Sequence, residues 1–167
     1  MTHVHKDSSI CRQIQKELDS TSRLVRRIER RSAEVLHAKP DYLTLMRAAG
    51  YLYSFYFGLV KIFKLIASHI DQLERASELG DDELLHQMTA EIHGARPAIL
   101  NAHLASQLAD LRRCQLLLHR ESNPLIEWSI LIPKIGDVRM LFNQIERVIG
   151  EMLKKLEKKG TKTDELD

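Results

Sequence analysis

The sequence predicts an all-α protein: an up-and-down four-helix bundle with a short extra helix between helices two and three. Three observations predict it. Apolar residues recur at alternating steps of three and four over several heptads in two long stretches. Glycine and proline are few, 7 and 4 in 167 residues, which argues against a turn-rich β fold. Those that occur fall between periodic stretches, so the connections are short and the helices must pack side by side. A single long coiled coil is the rival architecture, and the proline breaks argue against it.

Helix one carries Ile10, Ile14, Leu18, Val25, Ile28 and Val35 on one stripe, with Asp7, Ser8 and Ser9 as caps before it. Lys39-Pro40-Asp41 ends it, because proline disfavours helix at the residue before it. Helix two is read from Leu45, Ala49, Leu52, Tyr56, Leu59, Phe63, Ile66, Ile70 and Leu73. Gly80-Asp81-Asp82 separates it from a short helix starting near Glu83. Gly94-Ala95-Arg96-Pro97 is the next stop, with Pro97 or Asn101 opening helix three. Ser122-Asn123-Pro124 closes that helix and begins the fourth, whose stripe is Leu131, Ile135, Val138, Phe142, Ile145, Ile149, Met152 and Leu156. Pro133 is expected to kink or restart the fourth helix, and Gly160 to end it. The whole chain, 1–167, reads as one helical domain with flexible tails at 1–8 and 160–167. There is no internal repeat and no low-complexity linker.

Composition narrows the function classes. The formal charge is +2, so no global field demands a polyanion and any electropositive surface is local. Cys11 and Cys114 lie too far apart in sequence for a metal pattern, and reduced thiols fit a cytoplasmic setting. The first ten residues, MTHVHKDSSI, lack the apolar core of a secretion signal. No apolar run approaches the roughly 18 to 20 residues of a membrane span. There is no glycine-rich phosphate loop and no nucleophile elbow, and no cofactor is expected. His86, His93 and His103 with Asp81, Asp82 and Glu83 have neither metalloprotease nor di-metal bundle spacing, so no metal is expected either.

Residues 51–71 read YLYSFYFGLVKIFKLIASHID. This resembles helix two of the HepT-like members of the HEPN superfamily (higher eukaryotes and prokaryotes nucleotide-binding). There a Phe-Tyr-x-Gly element precedes an Ile-Phe-(Lys/Arg)-x-Ile-Ala-x-x-Ile-Asp-like run. Phe55, Tyr56, Gly58, Ile62, Phe63, Lys64, Ile66, Ala67, Ile70 and Asp71 carry the likeness. Downstream, Leu84, Leu85, Met88, Arg96 and Pro97 resemble the family's Leu-Leu-x-x-Met and Arg-Pro elements. The likeness runs over roughly residues 10 to 156. It implies a HEPN-like four-helix bundle, a homodimer, and membership of a bacterial toxin–antitoxin type of system. It also implies a metal-independent ribonuclease whose partner is a small nucleotidyltransferase antitoxin, which in studied cases adenylylates the motif tyrosine.

That family motif is Arg, four to six residues, His, any residue, Tyr. Here LRRCQLLLHRE, residues 111–121, supplies Arg112 or Arg113 and His119, but Arg120 and Glu121 follow where the tyrosine should come. In a second register Leu117 replaces the histidine and His119 the tyrosine. Val60 stands where the family often has Glu. Metal-free RNA cleavage needs a base or acid titrating near neutrality, which suits histidine. It also needs a fixed cation for charge developing on phosphate, which suits arginine. Seven residues turn an α-helix about 700°, so Arg112 and His119 share a face about 10 Å apart along the axis, and Arg113 lies about 100° round. That gap is long for one phosphate, and a dimer bringing two copies together shortens it. Arg113 and Glu121 are secondary candidates. The competing reading pairs Arg112 and Arg113 with Asp110 or a neighbouring helix, and sets His119 at a helix C-terminus, where the dipole favours it.

Arg23, Arg26, Arg27, Arg30 and Arg31 crowd nine residues of helix one, and Arg23, Arg27, Arg30 and Arg31 fall near one face. That face is a candidate for RNA or an acidic partner. It is equally read as a solvated surface, since no aromatic residue interleaves it for base stacking. Tyr51, Tyr53 and Tyr56 read as core or face-lining residues. Two functions therefore stand: a ribonuclease toxin with Arg112 and His119 in its cleft, or a non-catalytic HEPN-like module acting through a nucleotidyltransferase-type partner. A helical scaffold with only convergent patterning is the third.

Overall fold

The computed structural model describes the backbone of residues 2–37, 41–117 and 124–164, and side chains of residues 9–34, 37, 41–113 and 128–158. It is all-α, with no strand among the described residues beyond an isolated bridge between Ile92 and Arg96. The helices are α1 (Thr2–His37), α2 (Tyr42–Leu65), α3 (Asp81–Thr89), α4 (Ala102–Leu117) and α5 (Pro124–Asp164). α1 packs on α2 and α5, and α2 also packs on α5 and α4. The short α3 sits against α2 and α4. None of the described helices is long and apolar enough to cross a membrane.

The expected stripes become the core. Ile14, Leu18, Val25 and Ile28 of α1 meet Leu52, Phe55, Leu59 and Phe63 of α2 and Leu131, Val138, Phe142, Ile145 and Ile149 of α5 in one buried cluster. Phe55 packs edge-to-face on Phe142, ring centroids 6.4 Å apart. Gly58 lets α1 and α2 come close at one point. A Cβ added there would stand 2.9 Å from the Thr21 hydroxyl oxygen. Thr21 is buried, and its hydroxyl donates to the Glu17 carbonyl at 2.9 Å.

Several boundaries differ from the sequence reading. α1 begins at Thr2, ahead of the expected caps; a capping side chain favours a start by only about 1 kcal/mol. α2 does begin where expected, with the Asp41 carboxylate accepting from the Thr44 N–H at 2.7 Å. That bond holds the Asp41 carboxyl below its ordinary value. α2 stops at Leu65, and the stripe through Ile66 and Ile70 continues as a π-helical turn, Ile66–Ile70. α3 starts at Asp81 because the Glu83 carboxylate accepts from the Gly80 N–H at 2.9 Å, closing the first turn from within. Asn101, not Pro97, opens α4, taking the Leu104 N–H at 2.8 Å. α5 continues as one helix through exposed Pro133 and past Gly160 to Asp164. Pro133 forfeits its own hydrogen bond to the Ser129 carbonyl at a water-facing position.

Between α2 and α4 the chain is held by a buried ion pair. The Asp71 and Arg96 side chains are 1% and 0% exposed. Arg96 Nε and Nη2 donate to the two Asp71 oxygens at 2.5 and 2.6 Å. Its other donors reach the carbonyls of Ala90, Pro97 and Gln87 at 2.7, 3.0 and 3.0 Å. The Gln87 side chain adds a bond to Asp71 at 2.7 Å.

Candidate functional site

Arg112 lies on α4, where that helix passes the first turn of α3. Its Nη1 donates to Asp82 Oδ1 at 2.7 Å, and its Nε is 3.3 Å from Asp81 Oδ2. The guanidinium is therefore steered by two carboxylates from one helix terminus, and its side chain is still 39% exposed. The bond to Asp82 raises the Arg112 pKa above its ordinary value.

Tyr56 of α2 lies beneath this pair. The residue is 4% exposed, and its hydroxyl is buried without a hydrogen-bond partner among the described residues. Burial first, and then the neighbouring Asp81 carboxylate, push the phenol pKa well above its ordinary value. Asp81 therefore acts on the phenol at hydrogen-bonding range as well as by its charge, although the hydroxyl completes no well-formed hydrogen bond, and Asp81 Oδ2 faces Arg112. The cluster of Arg112, Asp81 and Asp82 sums to one formal negative charge (+1 − 2).

Arg113 turns away as the helical count requires and pairs with Asp110 at 3.2 Å. Asp110 also lies 3.9 Å from Lys134 of α5. Both arginines are ion-paired, one within α4 and one to a neighbouring helix. His119 and Glu121 lie outside the described residues, as does any distance from Arg112 to His119; α4 is described to Leu117. Val60 is buried at 6% exposure, so the position where the resemblance implies Glu is here filled by core packing.

On α1, Arg23, Arg26, Arg27, Arg30 and Arg31 are all exposed. Arg31 turns to Glu34 at 3.2 Å. Glu29, the acid inside this run, is drawn away across the bundle to Arg139 of α5, whose Nε lies 2.6 Å from it. The hydrogen bond from Arg139 lowers the Glu29 pKa. Among the described residues, no ion pair involves Arg23, Arg26, Arg27 or Arg30. His86, His93 and His103 are each exposed, and no three His, Cys, Asp or Glu side chains among the described residues are gathered as a metal site.

Sequence reasoning missed the partners of Arg112. Asp81 and Asp82 drew attention as a helix break and as metal-type residues, and Tyr56 as a core position and part of the family likeness. The signal present was the acidic start of α3, Asp81-Asp82-Glu83, which favours a helix N-terminus. Nothing local could show that an arginine 30 residues on would dock there.

The class the described residues define is an all-α helical bundle, in which Arg112 of α4 lies near Tyr56 of α2. The family model described as HepT-like protein matches residues 47–157, more than half of the chain. The chain belongs to the HepT-like family, within the HEPN superfamily. No curated protein and no solved structure matches. The match begins inside α2, so α1 and its arginine face lie outside it. The family-like residues now have physical roles. Phe55 fills the core, Tyr56 faces Arg112's carboxylates, and Gly58 admits Thr21. Asp71 and Arg96 satisfy each other.

Proposed function

We propose that this chain is a HepT-like member of a bacterial toxin–antitoxin type of system, related to metal-independent ribonuclease toxins. Its RNA-directed site is Arg112 with His119, and its partner is a small nucleotidyltransferase. The observation that carries this reading is Arg112. The motif arginine is half-exposed, steered by two carboxylates, and set over a family tyrosine, rather than folded into the core. Arginine then supplies the fixed cation for a scissile phosphate and His119 the proton transfer. Arg23, Arg26, Arg27 and Arg30, in no ion pair among the described residues, extend the positive surface along α1. A homodimer fits the exposed apolar residues Leu43, Met46, Tyr53 and Phe57 of α2.

A second reading is favoured by two observations: the negative sum of charge around Arg112, and the loss of the motif tyrosine. In it the site is non-catalytic, and the chain acts as a binding or regulatory module through the nucleotidyltransferase.

Induced expression in bacteria tests the first reading, wild type beside His119→Ala and Arg112→Gln, with growth and purified-RNA cleavage in chelator as the readouts. Arrest and cleavage by wild type, lost in both variants, are expected. Equal cleavage by His119→Ala ends the ribonuclease reading. The second reading then requires an adjacent gene for a small nucleotidyltransferase with Gly-Ser and Asp-x-Asp motifs, whose product binds the chain.

A further inference from the structure

Asp81 and Asp82 compete with any phosphate for Arg112. With both carboxylates seated, an incoming phosphate meets one net negative formal charge at the very cation it needs. Asp82 is 81% exposed and is released to water easily. Asp81 is 34% exposed, less open to water than Asp82, so a nearby protein donor competes for it when it leaves Arg112. Tyr56 offers that carboxylate a donor: a buried O–H already within reach of Asp81 that completes no well-formed hydrogen bond as the cluster stands. An unsatisfied buried donor favours any rearrangement that gives it an acceptor.

We propose that Asp81 and Asp82 form a carboxylate latch on Arg112, and that the Tyr56 hydroxyl is the seat Asp81 takes when an RNA phosphate displaces it. This rests on the RNA-directed reading of Arg112. The exchange swaps the Asp81 ion pair with Arg112 for a neutral-donor hydrogen bond to the same carboxylate, and no proton changes hands. Burial keeps the phenol protonated throughout, as the direction of its pKa requires. Tyr56 is accordingly a positioning residue: it acts on Arg112 only through Asp81. The latch makes phosphate binding at Arg112 conditional, weak on the isolated chain and strengthened by anything that draws the carboxylates off.

The test uses the full chain and a short single-stranded RNA with methylated 2′-hydroxyls, which cannot be cleaved. Affinity is read by fluorescence anisotropy at fixed low salt. Asp81→Asn with Asp82→Asn tightens binding about fivefold, the equivalent of the ~1 kcal/mol of one surface ion pair. Adding Arg112→Gln removes that gain, which separates the latch from a general loss of negative charge. Tyr56→Phe weakens binding roughly threefold to tenfold, the range of one hydrogen bond, and has no effect in the Asp81→Asn background. A gain that survives Arg112→Gln overturns the latch. So does a Tyr56→Phe effect of equal size in both backgrounds. If Arg112→Gln weakens binding while the asparagine variants bind like wild type, the latch falls and the RNA reading stands. If Arg112→Gln binds like wild type, or no variant binds, both fall. Thermal melts of each variant confirm that all are folded, since the asparagines and Phe keep the native shapes.

Discussion

Arg96 carries a full charge in a place that water does not reach, and all five of its N–H groups find acceptors. Burying two ions costs several kcal/mol each, and the cost is offset only when geometry and hydrogen bonds are complete. Removing one partner therefore leaves an uncompensated buried charge. Asp71→Asn is expected to lower unfolding stability by about 3 to 5 kcal/mol in urea titration. Arg96→Lys also loses stability, because three ammonium hydrogens cannot meet five acceptors. A loss under about 1 kcal/mol for Asp71→Asn would show that the pair is not structural. Both residues drew notice in the sequence only through the family likeness, because 25 positions separate them and no local pattern couples them. Arg113 is the opposite case. Its partner Asp110 lies three residues back on one helix face, and that spacing is legible directly.

At the scale of the element, α2 holds two glycines with opposite roles. Gly50 is exposed, and a Cβ there would meet nothing within 4 Å. Gly58 is the point where α1 closes on α2 through buried Thr21. Mid-helix glycine costs about 1 kcal/mol relative to alanine. Gly50→Ala is therefore expected to raise stability by about 0.5 to 1 kcal/mol. Gly58→Ala should instead destabilise, by about 1 kcal/mol or more, since Thr21 is β-branched and held. Adding Thr21→Ala to Gly58→Ala should recover most of the loss. Chemical denaturation of the three variants reads all of this, and a stabilising Gly58→Ala would refute the close-approach account. The periodicity announced α2 as a helix but not its end, because a π-turn preserves the apolar spacing at Ile66 and Ile70 while widening the backbone.

At the scale of the whole molecule, α2 leaves an apolar surface uncovered among the described residues. Leu43, Met46, Tyr53 and Phe57 of α2 are 67%, 37%, 41% and 47% exposed, at steps of three, seven and four that place them on one side. Tyr53 was expected to line the core or a face; it stacks on Phe57 in the open, centroids 6.0 Å apart, with Lys61 over the Phe57 ring. Contiguous exposed apolar patches mark interaction sites. Sedimentation at micromolar concentration is expected to give a dimer, and Tyr53→Glu with Phe57→Glu a monomer of unchanged melting temperature. A wild-type monomer under those conditions would remove the dimer expectation.

The sequence by itself determined the helices, their core stripes and the family, because apolar periodicity and short motif runs are local properties of the chain. It also placed Arg112 and Arg113 on different faces, a matter of helical angle alone. Only the tertiary structure decided which partner each polar group took. Asp71 met Arg96, Glu29 met Arg139, and the acidic start of α3 met Arg112 above the Tyr56 hydroxyl. Those pairings depend on where helices far apart in sequence cross, and on which charges burial forces to find one another.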